Sequence, residues 1–543
     1  MRPEITEETA AAVGSAAATP SAWSPLRQEL FRSLWIASVA SYVGTWVQDV
    51  GATWLMTSLS SSPFMVALVQ AATTLPIFLL ALPAGALADV VDRRRLLLAT
   101  QGWMLLASGA LGALTLLHAT GPWMLLAFTF LIGVGSALNA PAWQAIIPEL
   151  VPRRDLLSAL ALNGIGINLA RAVGPALGGL VVALAGSGAA FLLNSLSFVG
   201  VVLVLYRWRR PAHRSALPAE RLWGAMAAGL RYVRHAPDLR AVMARAGVFI
   251  VFGSALWALV PVVARFEVGV EASQYGLLLG GLGAGAVAGA VCLPRLRRTL
   301  SINALVAIGS LVFAAAMVLL ALLRSFIPLC FVMPAAGAAW ITLLTAFNTS
   351  AQAVLPAWVR GRALSVYLLV FFGGMAGGSA LWGAVAARAG ARAALLGAAA
   401  GLVLGLLATA RHRLTTGEGL DLAPSRHWPA PAVVDEPDAE RGPVLVTVEY
   451  RIDPARAEQF AAAMLDVRRI RLRDGAIRWD LLSDAGDTRR YIESFVVASW
   501  IEHLRQHERV TVSDREVEAR ARALHVGDRA PVVSHFIAKE MPR

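Results

Sequence analysis

Residues Gly85–Leu98 read GALADVVDRRRLLL, two carboxylates and three guanidinium groups set between long apolar runs. The chain around them is poor in charge. Of 543 residues, 57% are hydrophobic and 15% charged, and the mean hydropathy is +0.61, whereas a soluble domain carries roughly a quarter charged residues. Nine acidic residues fall between Ser33 and Ala410, against sixteen between Pro443 and Arg543. The first stretch is composed for lipid and the second for water.

About twenty apolar residues cross a bilayer as a helix, because a helix satisfies its backbone polar groups without water. Twelve such spans are expected, starting near Leu34, Phe64, Leu96, Pro122, Leu157, Ala189, Ala241, Ser273, Ser301, Phe326, Ala363 and Ala393, the last ending near Ala410. The turns between them alternate in charge. Those after spans two, four, six, eight and ten hold Arg93–Arg95, Arg153–Arg154, the arginines from Arg207 to Arg240, Arg295–Arg298 and Arg360–Arg362. Those after spans one, three and five hold no arginine, and those after seven, nine and eleven hold only Arg265, Arg324, and Arg388 with Arg392. Short cytoplasmic loops carry the basic excess. A bacterial plasma (inner) membrane protein with both termini in the cytoplasm is therefore expected, and DVVDRRR is one of its inner turns.

The net charge of +13 resides mainly in these turns and forms no continuous basic face, so nucleic acid is not an expected partner. Cys292 and Cys330 both lie in apolar runs and read as small hydrophobes rather than as a disulfide or metal pair. Residues 1–26 carry three glutamates and no apolar core. They read as a disordered tail, not a cleavable leader.

A duplication runs through the apolar part. QAIIPELVPRRDLLS, Gln144–Ser158, matches QAVLPAWVRGRALS, Gln352–Ser365, with Asn139 and Asn348 just upstream. GALADVVDRRRL from Gly85 likewise matches GAVCLPRLRRTL from Gly289. Six spans over residues 27–206 thus recur over residues 241–410, joined by a basic loop, 207–240. Repeats of this kind mark carriers that bind solute between their halves.

These features resemble the major facilitator superfamily. Its signature between spans two and three is similar to Gly85-Ala-Leu87-Ala-Asp89-Val-Val-Asp92-Arg93-Arg94, with Val90 where the family has a basic residue, and its span-five element to Gly174-Pro175-Ala-Leu-Gly178-Gly179. SYVGTWVQDVGATWLM and LNAPAWQAIIPELVPRRDLLSALALN are most similar to the branch that holds siderophore exporters and secretion effectors. The resemblance covers roughly residues 27 to 412. It implies an all-α fold of two pseudo-symmetric six-helix bundles. It also implies a conformational latch in which Asp89 is the anion, Arg93 and Arg94 support it, and Gly85 belongs to the motif. The second half has Leu293 where the acid would be, so the latch is expected on one side only. The span-five element is a packing motif associated with exporters.

The residues add candidates of their own. Asp49 in span one and Arg171 in span five read as the two charges inside spans, at comparable depth, and could pair. Desolvation of Asp49 on losing a partner would suit proton coupling, which makes H⁺ the candidate coupling ion. No arginine appears in span four to support that scheme. Trp46, Asn139, Trp143, Gln144, Asn163, Asn168, Trp340, Asn348 and Gln352 are candidates to line a solute cavity or, equally, to glue helices together.

Past Ala410 the chain changes character. Residues 411–442 are polar and Pro-rich, the composition of a linker. Residues 443–543 then read strand, helix, strand, strand, helix, strand, with one helix expected from Trp500 to Leu524, the order of a ferredoxin-like α+β domain. This part resembles the antibiotic-biosynthesis-monooxygenase group of dimeric α+β barrels, which implies a possible route to homodimers and a relation to cofactor-free oxygenases. His503 and His507 lie four apart on one helix face, but no third ligand accompanies them, so no metal, cofactor or catalytic residue is expected. The whole reads as a secondary exporter of a small amphiphilic molecule, siderophore-like or drug-like, acting by alternating access. The alternatives are a bifunctional carrier-oxygenase and a non-transporting membrane sensor.

Overall fold

Residues 21, 23–208, 222–429, 431, 433 and 437–539 are described in the computed structural model, without the side chains of residues 82, 86, 88–90 and 222–228. Nine helices among the described residues are long and apolar enough to cross a membrane. Two of them are double. Leu156–Arg207 is broken at Gly186 (φ 78°) and Arg360–Ala408 at Gly390 (φ 85°). A side chain would be strained at either position, so each glycine lets one helix reverse into the next without a loop. Glu29–Leu59 is long enough but polar, carrying Glu29, Arg32, Gln48 and Asp49. Counting it, and splitting the two broken helices, gives the twelve spans expected.

Span one is Glu29–Leu59, span two Pro63–Val90, span three Arg93–Leu116, span four Pro122–Leu150, and spans five and six make up Leu156–Arg207. Span seven is Pro237–Val262, span eight Ala272–Thr299, span nine Ile302–Leu322, span ten Phe326–Ala353, and spans eleven and twelve make up Arg360–Ala408. Of the tail expected over residues 1–26, Ser24–Arg27 forms a 3-10 turn, and Ser24 Oγ donates to Asp155 Oδ1 at 2.7 Å. Within the loop expected over 207–240, a helix forms at Leu222–His235 (α1).

The chain folds into two compact units that do not follow the sequence halves. One takes in spans one and three to six with the stretch Gly269–Ala284 that begins span eight. Glycines of span one lie on span six, Gly44 beside Asn194 and Ser197, and Gly51 beside Ala190 and Phe191. The other takes in Ser61–Leu82 of span two, spans seven and nine to twelve, and the C-terminal residues. Here Gly401 and Gly405 of span twelve lie on Phe252 and Val248 of span seven. Each half thus packs its first span on its last through small residues, as a duplicated fold should. Gly373 and Gly383 of span eleven receive Phe78 and Ala67 of span two, within the second unit.

The tail domain has strands β1 (Val444–Arg451), β2 (Ala476–Ser483), β3 (Arg490–Val497) and β4 (Val532–Ile537), with helices α2 (Ala457–Asp474), α3 (Trp500–Arg509) and α4 (Val512–Arg522). The antiparallel sheet runs β2-β3-β1-β4, the ferredoxin-like order. Val444, Val446, Val448 and Tyr450 alternate inward along β1, and Phe460, Met464 and Val467 of α2 meet them or their neighbours. The single helix expected from Trp500 to Leu524 is in fact two. Thr511 opens a new helix through a capping box with Asp514, Thr511 Oγ1 accepting from Asp514 N and Asp514 Oδ2 from Thr511 N.

The expected linker, 411–442, is bonded to its neighbours where it is described. Its described residues form a strap pinned at both ends. Leu414 N donates to Asn303 Oδ1 at 3.0 Å, and Gly417 (φ 74°) turns against Ala353. Further on, Val512 N donates to Ala423 O and Ser425 N to Val510 O, and Trp500 N and Ile501 N donate to Arg441 O and Ala439 O. Low hydrophobicity here reflects hydrogen bonding to a neighbour, not freedom.

Candidate functional site

Arg93 and Arg94 of the opening motif are committed to partners. Asp92 caps span three, its Oδ1 accepting from Arg95 N at 2.9 Å. Arg93 pairs with Glu149 of span four at 2.8 Å and donates to Ala145 O. Arg94 donates through Nε and Nη2 to Leu205 O and Tyr206 O, carbonyls that end span six, where a cation suits the helix dipole. Asp89 lies in the last turn of span two, but its side chain is outside the described residues. Around Gly85 a Cβ would meet open space, so close packing does not require glycine there. The sequence missed Glu149; its signal was an acid four residues before Arg153 in PELVPRR.

The span-five element is a packing device inside one unit. Gly174 abuts the Trp46 side chain, Gly178 abuts Val47 Cα and Val50 of span one, and Gly179 faces Ala272 O and Gly276 Cα of span eight. Pro175 presents its carbonyl to Gly276. A Cβ on Gly179 would stand 2.5 Å from Ala272 O and 2.7 Å from Gly276 Cα, both backbone atoms that cannot swing aside. Gly179→Val should therefore cost about 1–3 kcal/mol and lower the melting temperature of the purified protein. Gly164→Ala, where a Cβ meets nothing within 4 Å, should leave it unchanged.

Asp49 and Arg171 form no ion pair with each other, contrary to the expected pairing. Asp49 offers its backbone carbonyl to Thr53 Oγ1 at 2.8 Å. Tyr275 of span eight, whose ring stacks on Trp54 at 5.5 Å, lies in electrostatic reach of the Asp49 carboxylate. Tyr275 was not foreseen, because nothing in its local sequence points across to span one. A third intramembrane charge was also missed: Arg245 of span seven, 6% exposed, donates to Asn303 Oδ1 at 2.6 Å.

The amides divide between the two roles left open. Asn139 accepts from Thr100 and Gln101, and Asn163 accepts from Tyr42 and Trp143, so these join helices. Asn168 bonds its own helix at Gly164 O. Gln144, Asn348 and Gln352 are exposed, the last two bonded to each other at 3.0 Å. Trp340 is core, packed among Phe249, Trp257 and Phe313. A buried polar junction, unforeseen, joins Gln48 of span one to Ser108 of span three and Asn194 of span six, at 2.5 and 2.7 Å.

Among the described residues no group of three or more His, Cys, Asp or Glu could hold a metal. Packed spans, small residues and isolated charges are the parts of a carrier. The family profile of transmembrane secretion effectors matches residues 20–543. The chain belongs to that family. The enterobactin exporter EntS of Salmonella typhimurium is 25% identical over 385 residues, 69% of this chain and 91% of that protein. The multidrug efflux pump Tap of Mycolicibacterium fortuitum is 26% identical over 368 residues, 65% of this chain and 88% of that protein. The staphyloferrin A transporter of Staphylococcus aureus is 29% identical over 171 residues, and that match spans 31% of this chain and 43% of the transporter. Among solved structures, an inward-facing bacterial homologue of the lysosomal transporter Spinster has a TM-score of 0.57 at 16% identity, over 72% of this chain and 99% of that one. A bacterial homologue of the iron transporter ferroportin has a TM-score of 0.54 at 15% identity, over 71% and 98%. The likeness to these structures establishes the major facilitator fold. This transporter family member is a multi-pass membrane protein, and neither its family nor its matched relatives are enzymes.

The tail domain of this secretion effector docks on its own second unit. Tyr232 of α1 donates to Val354 O at 3.3 Å. Arg473 lies 5.4 Å over the Tyr232 ring and Arg509 4.7 Å over the Trp358 ring. Arg509 also donates to Asp474 O and Glu502 Oε1. Inside the domain, burial pushes the His503 imidazole down to about 3, with His507 and His535 adding to it, and the His507 imidazole down to about 4. Both are thus neutral when folded. The unfolded chain binds protons at these sites below pH 6.5, so stability is full above that pH and falls as pH drops toward 4. Hydrogen exchange in β1 and β3 of the full-length protein should accelerate between pH 6.5 and pH 4, once corrected for intrinsic rates.

Proposed function

We propose that this protein is a secondary active exporter of a small amphiphilic compound, siderophore-like or drug-like, driven by protons through Asp49. The observation that carries the reading is the carboxylate of Asp49 well inside span one of a duplicated carrier, bonded to no cation among the described residues and with a tyrosine of span eight in electrostatic reach. The names of its relatives support the solute class. In the alternating-access cycle the two halves rock about a midplane site, and proton binding to Asp49 removes a charge that is costly wherever water is excluded. The motif of span two, with Asp89 as its anion, steadies one end state, and the Arg93–Glu149 pair holds its arginine side to span four.

The arginine-rich turns belong in the cytoplasm, and the tail with them. It docks on α1 and on the turn after span ten, both among the arginine-bearing connections. Its sheet offers an exposed apolar outer surface, with Leu445 paired to Phe536 and with Val532, Leu482 and Ile477 nearby, and this surface suits contact with a second copy of the domain. The matched family and relatives are transporters, which gives an oxygenase role no support.

Inverted membrane vesicles containing the protein, given an acid-inside pH gradient, should accumulate ethidium or a tris-catechol in an uncoupler-sensitive way. Failure of both probes to exceed empty vesicles would count against proton-driven export of amphiphiles.

A further inference from the structure

Beside the apolar core of the tail domain, part of its interior is polar, which is unusual for a small α+β domain. Between the sheet and the helices lie Arg471 of α2, His503, Gln506 and His507 of α3, Glu518 of α4 and His535 of β4. Their rings form a column. The Arg471 guanidinium sits 4.7 Å over the ring of Trp428, which meets His507 edge-on at 5.0 Å. His507 Nε2 is 3.3 Å from His503 Nε2, and the His503 ring is 4.7 Å from that of His535. Gln506, fully buried, leaves its Nε2 without a partner among the described residues. One member of the column does not come from the domain. Trp428, with His427 before it, arrives on the strap.

Both strap side chains bind one carboxylate oxygen. Trp428 Nε1 donates to Glu518 Oε2 at 2.9 Å, and His427 Nε2 lies 3.0 Å from the same atom. Glu518 is 3% exposed and would otherwise be a buried acceptor facing outward beside a cation. A guanidinium for a ring face, an imidazole for its edge and a carboxylate for its N–H make a recognition set rather than core packing.

We propose that His427 and Trp428 are an internal, displaceable ligand of the tail domain, occupying a site for a planar aromatic molecule that carries an N–H or O–H donor. Arg426, exposed and just before the pair, holds φ at 46°, a strained value for a residue with a side chain. Ser425, which bonds Val510 O and His427 Nδ1, is the neighbouring anchor. Upstream the strap is tied at Leu414 to Asn303 of span nine and turns against Ala353 of span ten. Occupancy of the site would thus reach the ends of two spans through one stretch of backbone.

The test uses the full-length protein in lipid nanodiscs and reads trypsin cleavage after Arg426 by mass spectrometry. Saturating indole is expected to raise the cleavage rate at least threefold, by displacing Trp428, whereas benzothiophene, of the same shape without the N–H, leaves it unchanged. Trp428→Phe, which keeps a ring but loses the donor to Glu518, should cleave faster than wild type without any ligand. Indole that leaves the wild-type rate unchanged, equal effects of the two probes, or a Trp428→Phe protein cut no faster than wild type would each overturn the proposal.

Discussion

Replacement of Arg471 by Met is expected to unfold the tail domain while sparing the membrane spans. Arg471 is 4% exposed and bridges two carboxylates that are themselves buried, Glu493 at 2.8 Å and Glu518 at 2.5 Å. Glu493 also accepts from Trp479 Nε1 and Tyr450 Oη. Burial alone would raise the Glu518 carboxyl; Arg471, His427 and Trp428 outweigh it and hold the group at about 2. Methionine keeps the apolar stem but strands two negative charges in the interior. Breaking a buried pair from one side costs about 3–5 kcal/mol, a large share of what a domain of this size possesses. Hydrogen exchange in β1 and β3 should rise accordingly, with the spans little changed. Adding Glu493→Gln and Glu518→Gln to the Met variant should recover much of the loss, since no charge is then left unpaired. A single Met variant within 1 kcal/mol of wild type would show that the network does not hold the domain together.

Asp49→Asn is expected to reduce proton-driven export at least tenfold in vesicles, while Asp49→Glu retains a substantial part of it. Asparagine preserves the size of the side chain and its capacity to accept from a neighbour but cannot carry a proton through a cycle. Thr53 bonds the Asp49 backbone rather than its carboxylate, so the fold and the melting temperature should hardly change. The two variants separate the parts of the molecule: one loses a domain and keeps its spans, the other keeps every contact and loses transport. An Asp49→Asn protein with unaltered, gradient-dependent export would move the coupling group elsewhere.

The membrane architecture was legible because its signals are local. Apolar length gave the spans, and arginine spacing together with the twin motifs at Gln144 and Gln352 gave their pairing into halves. GPxxGG announced close helix contact, and Gly178 and Gly179 deliver it against spans one and eight. Partner choice was not legible. A guanidinium in a turn can reach many acceptors, and only the fold shows that Arg93 takes Glu149 and Arg94 the end of span six. Asp49 and Arg171 share a depth along the membrane normal, yet depth says nothing about azimuth around a helix, so the expected pair did not form. Arg245 was overlooked because its neighbour Asn303 lies on a span two helices on. The strap deceived for a different reason. A Pro-rich polar segment reads as a linker when its own hydrophobicity is weighed, but it donates to Val510 O and Glu518 Oε2, and its Ala439 and Arg441 carbonyls accept from Ile501 N and Trp500 N, partners that no window along the chain can weigh.

The reversals at Gly186 and Gly390 leave almost no chain standing beyond the helix ends opposite the arginine-bearing turns, and the other connections on that side are only a few residues long. Such a close-cropped face gives an antibody or an inserted epitope little to grip, and a residue added at either glycine would have to be absorbed by the helices themselves. Binders raised to fix this protein for imaging should therefore select the tail, and a reporter meant for the far side belongs between Leu116 and Pro122, where no helix has to absorb it.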